Sequence, residues 1–332
     1  MIVAVESIRA AADALRGVVV RTPLLPCNWL AESARGAGSA GDHGEVRLKC
    51  ENLQRAGAFK IRGAYTLIAR LPERDRRRGV ITYSSGNHAQ GVALAAKLFD
   101  VPAVVVMPTT APAVKLEGAK AYGAEVILEG TTSTEREVRA RAEAAARNLT
   151  MVPPFDHADI IAGQGTVGVE ILEDWPEVET IVVPIGGGGL ASGVAAWVKA
   201  HRPACRIIGV EPEGADAMRQ SCAAGQPVTI DLRPSIADGL MPVRPGDLTF
   251  EHTRGLADAI VTVNDEEILA ATTMLLRRGR LVVEFSGAAT LAALLAGRVP
   301  PGRTVVVLSG GNLDATRALA LMADAPAATV PA

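Results

Sequence analysis

The sequence predicts an α/β protein built on parallel sheets, and three observations carry that prediction. Eight short β-branched runs alternate with alanine-rich amphipathic stretches along the 332 residues. The runs are almost continuously apolar, as strands covered on both faces are, instead of alternating. Several end in glycine- or serine-rich turns, at the strand ends where open parallel sheets bind their ligands.

In chain order the strands are VRLKC (46–50), VITYS (80–84), AVVVM (103–107), EVILE (125–129), TIVVPI (180–185), RIIGVE (206–211), AIVTV (259–263) and TVVVLS (304–309). Between them helical periodicity predicts helices near 61–71, 87–99, 111–122, 133–148, 164–173, 190–201, 265–278 and 287–297. Three stretches break the pattern: ARGAGSAGDHG (34–44), MVPPFDHAD (151–159) and LRPSIADGLMPVRPGD (232–247). Three strand–helix units fall between about 75 and 154. They predict a small domain over 75–154, with 1–74 plus 155–332 forming a larger one.

Composition narrows the function. A net charge of −2 and 3% aromatic residues give neither a basic footprint nor stacking platforms for nucleic acid. The four cysteines, at 27, 50, 205 and 222, form no CxxC pair, which reads as reduced thiols instead of a disulfide frame or zinc site. No apolar run approaches the roughly 20 residues of a membrane span, and the N-terminus lacks a basic segment followed by a long apolar core. The expectation is a soluble cytoplasmic protein without membrane or nucleic-acid partners.

Four places offer chemistry. Lysine is scarce: six lysines stand among 34 basic residues. One of them, Lys60 in AGAFKIRGAY (56–65), is flanked by apolar residues. Unlike a guanidinium, an ammonium can lose its proton and become a nucleophile; a snorkelling surface lysine is the plain alternative. In VITYSSGNHAQG (80–91), Ser84, Ser85, Gly86, Asn87 and His88 lead from a strand into a helix. That arrangement suits an anion such as a carboxylate, and equally a simple serine cap. In TIVVPIGGGGLASG (180–193), four consecutive glycines let backbone amides approach a phosphate without any cationic side chain. In TVVVLSGGNLD (304–314), Ser309 closes a strand, where its hydroxyl can meet a ring nitrogen or cap a helix. The glycine run contains a competing signal. Gly186, Gly188 and Ala191 fit G-x-G-x-x-A, and Glu211 follows at the spacing of a dinucleotide fingerprint. A nicotinamide-dependent dehydrogenase is therefore a rival reading, as is a cofactor-binding protein without turnover.

Taken together, ENLQRAGAFKIRGA (51–64), SSGNHAQG (84–91), IAGQGT (161–166), PIGGGGL (184–190), IADG (236–239) and LSGGN (308–312) resemble the fold-type II pyridoxal-phosphate enzymes. Within them the chain is similar to the serine/threonine dehydratase (threonine ammonia-lyase) and serine racemase family. The motifs stand in the family's order and cover almost the whole chain. The resemblance implies a tryptophan synthase β-like fold, with two open parallel-sheet lobes and pyridoxal 5′-phosphate in the cleft between them. It implies that Lys60 carries the cofactor aldehyde as an imine, with Phe59 near the ring and Asn87 at its 3-hydroxyl oxygen. Gly186, Gly187, Gly188, Gly189 and the Leu190 amide would cradle the phosphate, and Ser309 would meet the pyridine nitrogen. Glu284 would lie near the cofactor's edge. Ser84, Ser85, Gly86, Asn87 and His88 would receive the substrate carboxylate, with Ser85 across the ring from Lys60 as second catalytic residue.

The sequence departs from the family pattern at four positions. Ala58 and Ala56 replace a usual serine and threonine, and Phe285 replaces a proline after Glu284. Metal-binding members follow their glutamate with a carbonyl and an aspartate. Glu211 and Ala215 match, but Ala217 takes the aspartate's place, so no metal is expected and Glu211 reads as a helix-start acid. The chain runs only a short way past its last helix, so no regulatory domain is expected. The implied enzyme is a carbon–nitrogen lyase, a homodimer, converting L-threonine or L-serine to 2-oxobutyrate or pyruvate plus ammonia. An amino-acid racemase, or a dehydratase for hydroxyaspartate or an aryl serine, is the alternative.

Overall fold

Two parallel sheets organise the chain. The computed structural model describes residues 2–30, 44–84, 86–111 and 113–323. Most of the glycine-rich segment 34–44, and Ser85, therefore lie outside the described residues. The larger sheet has six strands: β1 (Leu24–Pro26), β2 (Val46–Lys49), β7 (Thr180–Pro184), β8 (Arg206–Pro212), β9 (Ala259–Val263) and β10 (Thr304–Val307). Their order is β1-β2-β10-β7-β8-β9, parallel except for β1, which pairs antiparallel with β2. The smaller sheet, wholly parallel, runs β5-β4-β3-β6, with β3 at Val80–Tyr83, β4 at Ala103–Met107, β5 at Glu125–Leu128 and β6 at Thr150–Met151.

The apolar runs explain this arrangement. In β10, Val305 and Val307 face one core together with Ile181 and Val183 of β7. Val306, with Leu308 just beyond the strand, faces the opposite core with Val182 and Val210. Two-residue periodicity thus feeds two cores from one run, and only β-branched residues on both faces fill both. Helices α1 (Val5–Leu15), α7 (Ala158–Asp174), α8 (Gly189–His201) and α10 (Asp247–Leu256) cover the first face. Helices α11 (Asp265–Met274) and α12 (Phe285–Leu295) cover the second. In the smaller sheet, α4 (Asn87–Leu98) packs on one face and α6 (Ser133–Arg147) on the other.

Helix α2 (Lys60–Arg70) joins the two assemblies. Its Ile61, Ala64, Leu67 and Ile68 share a core with Val80, Val105 and Met107 of the smaller sheet. The same helix packs along both α4 and α7, so its first residue, Lys60, is held where the two sheets meet.

The remaining elements are short: α3 (Glu73–Arg78), α5 (Ala113–Ala121), α9 (Ala217–Ala224) and α13 (Ala315–Ala323). Sequence periodicity missed α1, α3, α9, α10, α13, β1 and β6. β6 has two residues, and β1 ends in Pro26, which an edge strand tolerates because its amide is not needed by the ladder. Helix α7 starts at Ala158, several residues ahead of the predicted 164. Its cap is His157, whose Nδ1 accepts from the Asp159 amide at 3.1 Å, and histidine is not a usual capping signal. Among the described residues no helix is long and apolar enough to cross a membrane, and all four cysteines are free thiols.

A buried ion network ties β2, α2 and α7 together. The Arg62 guanidinium donates to Glu51 at 2.8 and 2.9 Å and to Glu170 at 2.7 and 3.0 Å. Lys49 Nζ donates to Glu170 at 2.5 Å and to the Thr22 carbonyl at 2.7 Å, and the Thr22 hydroxyl donates back to Glu51 at 2.5 Å. Burial alone would favour a neutral Glu51, but the Arg62 guanidinium and Lys49 hold its carboxyl below the ordinary range. A carboxyl lowered in the folded state contributes stability above its unfolded value, lost as pH falls through the folded one. Replacing Arg62 with methionine should cost about 3–5 kcal/mol, because two buried carboxylates lose their shared partner. Thermal and acid unfolding followed by circular dichroism should show a lower Tm and an acid transition moved to higher pH. A variant as stable as the parent on both counts would contradict the network's role.

Candidate active site

Lys60 reaches its position through the approach of residues 55–59 to the end of β10. Ala58 and Gly310 form an isolated antiparallel bridge, and the Phe59 amide donates to the Ser309 carbonyl at 3.2 Å. The Gly311 amide returns to the Gly57 carbonyl at 2.8 Å, and Asn312 Nδ2 donates to the Ala56 carbonyl at 3.0 Å. Ala56 pays for this pairing with a left-handed φ of 59°, uncommon for a residue bearing a Cβ. The lysine segment and the LSGGN segment, far apart in sequence, thereby become one local structure.

The Lys60 ammonium donates to the Pro154 carbonyl at 2.9 Å and stands 5.1 Å from the centre of the Phe59 ring. Burial lowers its pKa to about 8, against the opposing pull of Glu284. The free amine, which is the nucleophile, is thus reached near neutrality. Ser309, whose carbonyl accepts from the Phe59 amide, is buried.

The glycine run forms a cradle of amides. Gly188 adopts φ +94° just before α8, a conformation that a side chain would strain, and an added Cβ would lie 2.7 Å from Met218 Cε. The Thr249 hydroxyl donates to the Gly187 carbonyl at 2.7 Å, and the Ser192 amide donates to the Gly188 carbonyl at 2.8 Å. With the carbonyls engaged on one side, the amides of Gly186, Gly187, Gly188, Gly189 and Leu190 donate to no acceptor among the described residues. Buried amides at a helix N-terminus without acceptors form a site for an anion.

Asn87 opens α4. Its Nδ2 donates to Glu284 Oε1, and its Oδ1 accepts from Asn312 Nδ2 at 3.0 Å, so both ends of the amide are oriented. Ser84 precedes it, with its Oγ accepting from the Gly86 amide at 3.1 Å. Ser85 lies outside the described residues. His88 is buried with Nε2 3.1 Å from the Val152 carbonyl. Burial, and then the charge of Lys60, push its pKa down to about 3. The ring is therefore neutral and turned to the protein interior, and His88 can offer an anion only its backbone amide.

Glu211 is also accounted for. Its carboxyl oxygens accept from the Met218 and Arg219 amides at the start of α9, each at 2.8 Å, while burial pushes its pKa up to about 8. The expected helix-start acid is there, although desolvation outweighs the helix dipole. Among the described residues no group of three or more metal-ligating side chains comes together.

Residues 15–310 match the family model described as pyridoxal-phosphate dependent enzyme. The chain belongs to the pyridoxal-phosphate dependent enzymes. It is 44% identical over 313 residues to an L-threonine ammonia-lyase of Thermotoga maritima, covering 94% of this chain and 76% of the relative. It is 39% identical to an L-threo-3-hydroxyaspartate ammonia-lyase of a Pseudomonas species, covering 94% and 96%. Among solved structures, maize serine racemase superposes with a TM-score of 0.90 at 38% identity, covering 97% of this chain and 98% of that one. The expectation of a fold-type II enzyme built on parallel sheets holds, and the dinucleotide reading of the glycine run falls.

The cofactor of this family fits the groups present. The acceptor-less amides of the cradle suit a phosphate ester, and a half-buried lysine with a lowered pKa suits an aldehyde partner. The structure brings Phe59, Lys60, Asn87, Glu284 and Ser309 together around the bridge between 58 and 310. Sequence reasoning missed several neighbours. Pro154 and Thr249 act through contacts that no local pattern encodes. Lys115 and Asp238 carried weak signals, as one of six lysines and as part of the IADG motif. Apoprotein should take up pyridoxal phosphate faster as pH rises through about 8, since only the unprotonated Lys60 attacks the aldehyde. Stopped-flow absorbance at a series of pH values measures this; a flat profile across that range would remove Lys60's assigned titration.

Proposed function

We propose that the protein is an ammonia-lyase that removes water and ammonia from L-threonine and L-serine, giving 2-oxobutyrate and pyruvate. The observation that carries this reading is a half-buried Lys60 with its pKa lowered to about 8, on the segment whose Phe59 amide binds the carbonyl of Ser309 just past β10. The likeness along most of the chain to an enzyme named L-threonine ammonia-lyase supports it.

When bound, the cofactor supplies an electron sink for charge developing at the substrate α-carbon. The cradle amides from Gly186 to Leu190 would hold its phosphate, and Asn87 would bind its ring oxygen. Ser309 would be a neutral partner for the pyridine nitrogen that does not enforce ring protonation, which would favour elimination over transamination. The Ser84 hydroxyl, itself held by the Gly86 amide, and the amides of Asn87 and His88 would hold the substrate carboxylate, fixing the α-hydrogen toward Lys60. Lys60 Nζ, whose pKa burial lowers to about 8, accepts the α-proton in its free-amine form. The Cα–H and Cβ–O bonds break, water departs, and the resulting enamine hydrolyses to the 2-oxo acid and ammonia.

The site draws residues from both sheets, consistent with a division into a small unit at about 75–154 and a larger remainder. Homodimeric assembly and a cytoplasmic location belong to the same proposal, and sedimentation equilibrium tests the assembly. A racemase is the second reading, favoured by the likeness to maize serine racemase. A β-carboxylated substrate is the third, favoured by the hydroxyaspartate ammonia-lyase.

A keto-acid assay over threonine, serine, 3-hydroxyaspartate and an aryl serine, with chiral analysis of residual serine, separates the three. Threonine and serine should give the highest kcat/KM, with the remaining serine unracemised. Lys60→Ala should abolish the cofactor's visible band and lower turnover by at least about 10³-fold, the scale of losing a positioned base. A colourless parent protein, or a Lys60→Ala variant with full turnover, would defeat the proposal.

A further inference from the structure

Lys115 has no part in the roles assigned above, yet it is one of the most deeply buried charges in the chain, with 3% of its side chain exposed. It sits on α5, on the smaller sheet's side, and reaches groups that belong to the larger one. Its ammonium donates to Asp238 Oδ2 at 2.6 Å and lies 3.1 Å from Glu284 Oε2. The alkyl stem runs along the loop before α4; a methyl group on Gly86 would come within 2.1 Å of Lys115 Cδ. Asp238 is steadied in turn by Ser286, whose hydroxyl lies 3.4 Å from Oδ1 and accepts from the Gly239 amide at 2.8 Å.

The contact with Glu284 has a directed consequence. Glu284 Oε1 accepts from Asn87 Nδ2, while among the described residues Oε2 has only the ammonium of Lys115 as partner and no well-aligned hydrogen bond. Glu284 is therefore held from behind by Lys115 and in front by Asn87, and Asn87 is held on its other side by Asn312. We propose that Lys115 is a positioning residue of the cofactor site, fixing Glu284 so that Glu284 keeps the Asn87 amide in the one orientation the cofactor ring requires. The inference rests on the reading of Lys60 and Asn87 given above.

Electrostatics gives the arrangement a second effect. The titratable groups around this line are Asp238 and Glu284 beside Lys115, and Glu284 and His88 beside Lys60. Glu284 attracts the Lys60 proton. The positive charge of Lys115, on the far oxygen of the same carboxylate, offsets part of that attraction. Without Lys115, two carboxylates would share the space with no cation between them, and Lys60 would hold its proton to higher pH. A lysine used only to knit two surfaces would not move either Asn87 or the Lys60 proton.

The test titrates apoprotein with pyridoxal phosphate at pH values on either side of 8, reading both absorbance and tryptophan fluorescence. Lys115→Met should raise the cofactor's dissociation constant about tenfold and move the uptake midpoint up by about one pH unit, as expected for removing one charge at short range. Lys115→Arg, which restores the charge, should recover most of both shifts. A Lys115→Met protein with parental affinity and midpoint, whether or not its Tm falls, would overturn the inference.

Glu284→Gln and the double variant Glu284→Gln, Lys115→Met provide a second arm, in which position 284 carries no charge for Lys115 to fix. If Lys115 positions Asn87 through Glu284, the two proteins should share one dissociation constant. A further rise in that constant on adding Lys115→Met would equally overturn it. A parent protein that takes up no cofactor would instead defeat the proposed function, so the two failures are distinct.

Discussion

Arg62 is two residues from Lys60 and is fully buried between Glu51 and Glu170. An arginine in that setting is expensive to desolvate, and it is tolerated because its planar fork meets both carboxylates while Lys49 balances the second one. The result is a fixed distance between β2, which carries Lys49, helix α2, which begins with Lys60, and helix α7, which carries Glu170. A lysine at the first residue of a helix would otherwise sway with that helix. Here one turn of α2 is pinned to the larger sheet while its apolar face is committed to the smaller one. The position of the amine on which the proposed chemistry turns is thus settled by interactions that never touch a substrate.

The same economy governs charge within the site. The amine, the imidazole of His88 and the hydroxyl of Ser309 are all placed where a net charge is disfavoured. The anion sites proposed at the starts of α4 and α8 use backbone amides rather than arginine, although arginine is the chain's preferred cation. A guanidinium would bind an anion permanently and could never give up its proton. Two lysines, the half-buried Lys60 and the buried Lys115, divide the labour. Lys60 has its pKa lowered by burial, and Lys115 has its own raised by the carboxylates around it. Two identical side chains so become a base and a fixed cation through their neighbours alone.

Much of this was legible beforehand. The continuous apolar runs named eight of the ten strands because parallel strands buried on both faces leave no room for polar alternation. Lys60, the four glycines and Ser309 stood out because chemistry there needs a rare residue type or a bare backbone at a strand end. What escaped was whatever depends on partners distant in sequence. His88 was read as part of an anion loop, but its ring turned inward to Val152. Thr249 orients the Gly187 carbonyl from a helix that left no periodic trace. Lys115 gave no local sign that it would meet two acids from the other sheet.

The sequence by itself determined the fold class, the family and which residues are chemically able to act, because these follow from local periodicity, backbone freedom and side-chain type. Only the tertiary structure decided how those residues behave. The proton affinity of Lys60, the neutrality of His88, the free amides of the cradle and the anchoring of Glu284 all depend on burial and on charges brought close in space. Desolvation and Coulomb interaction act over a few ångströms, and chain folding alone sets which groups stand that near one another.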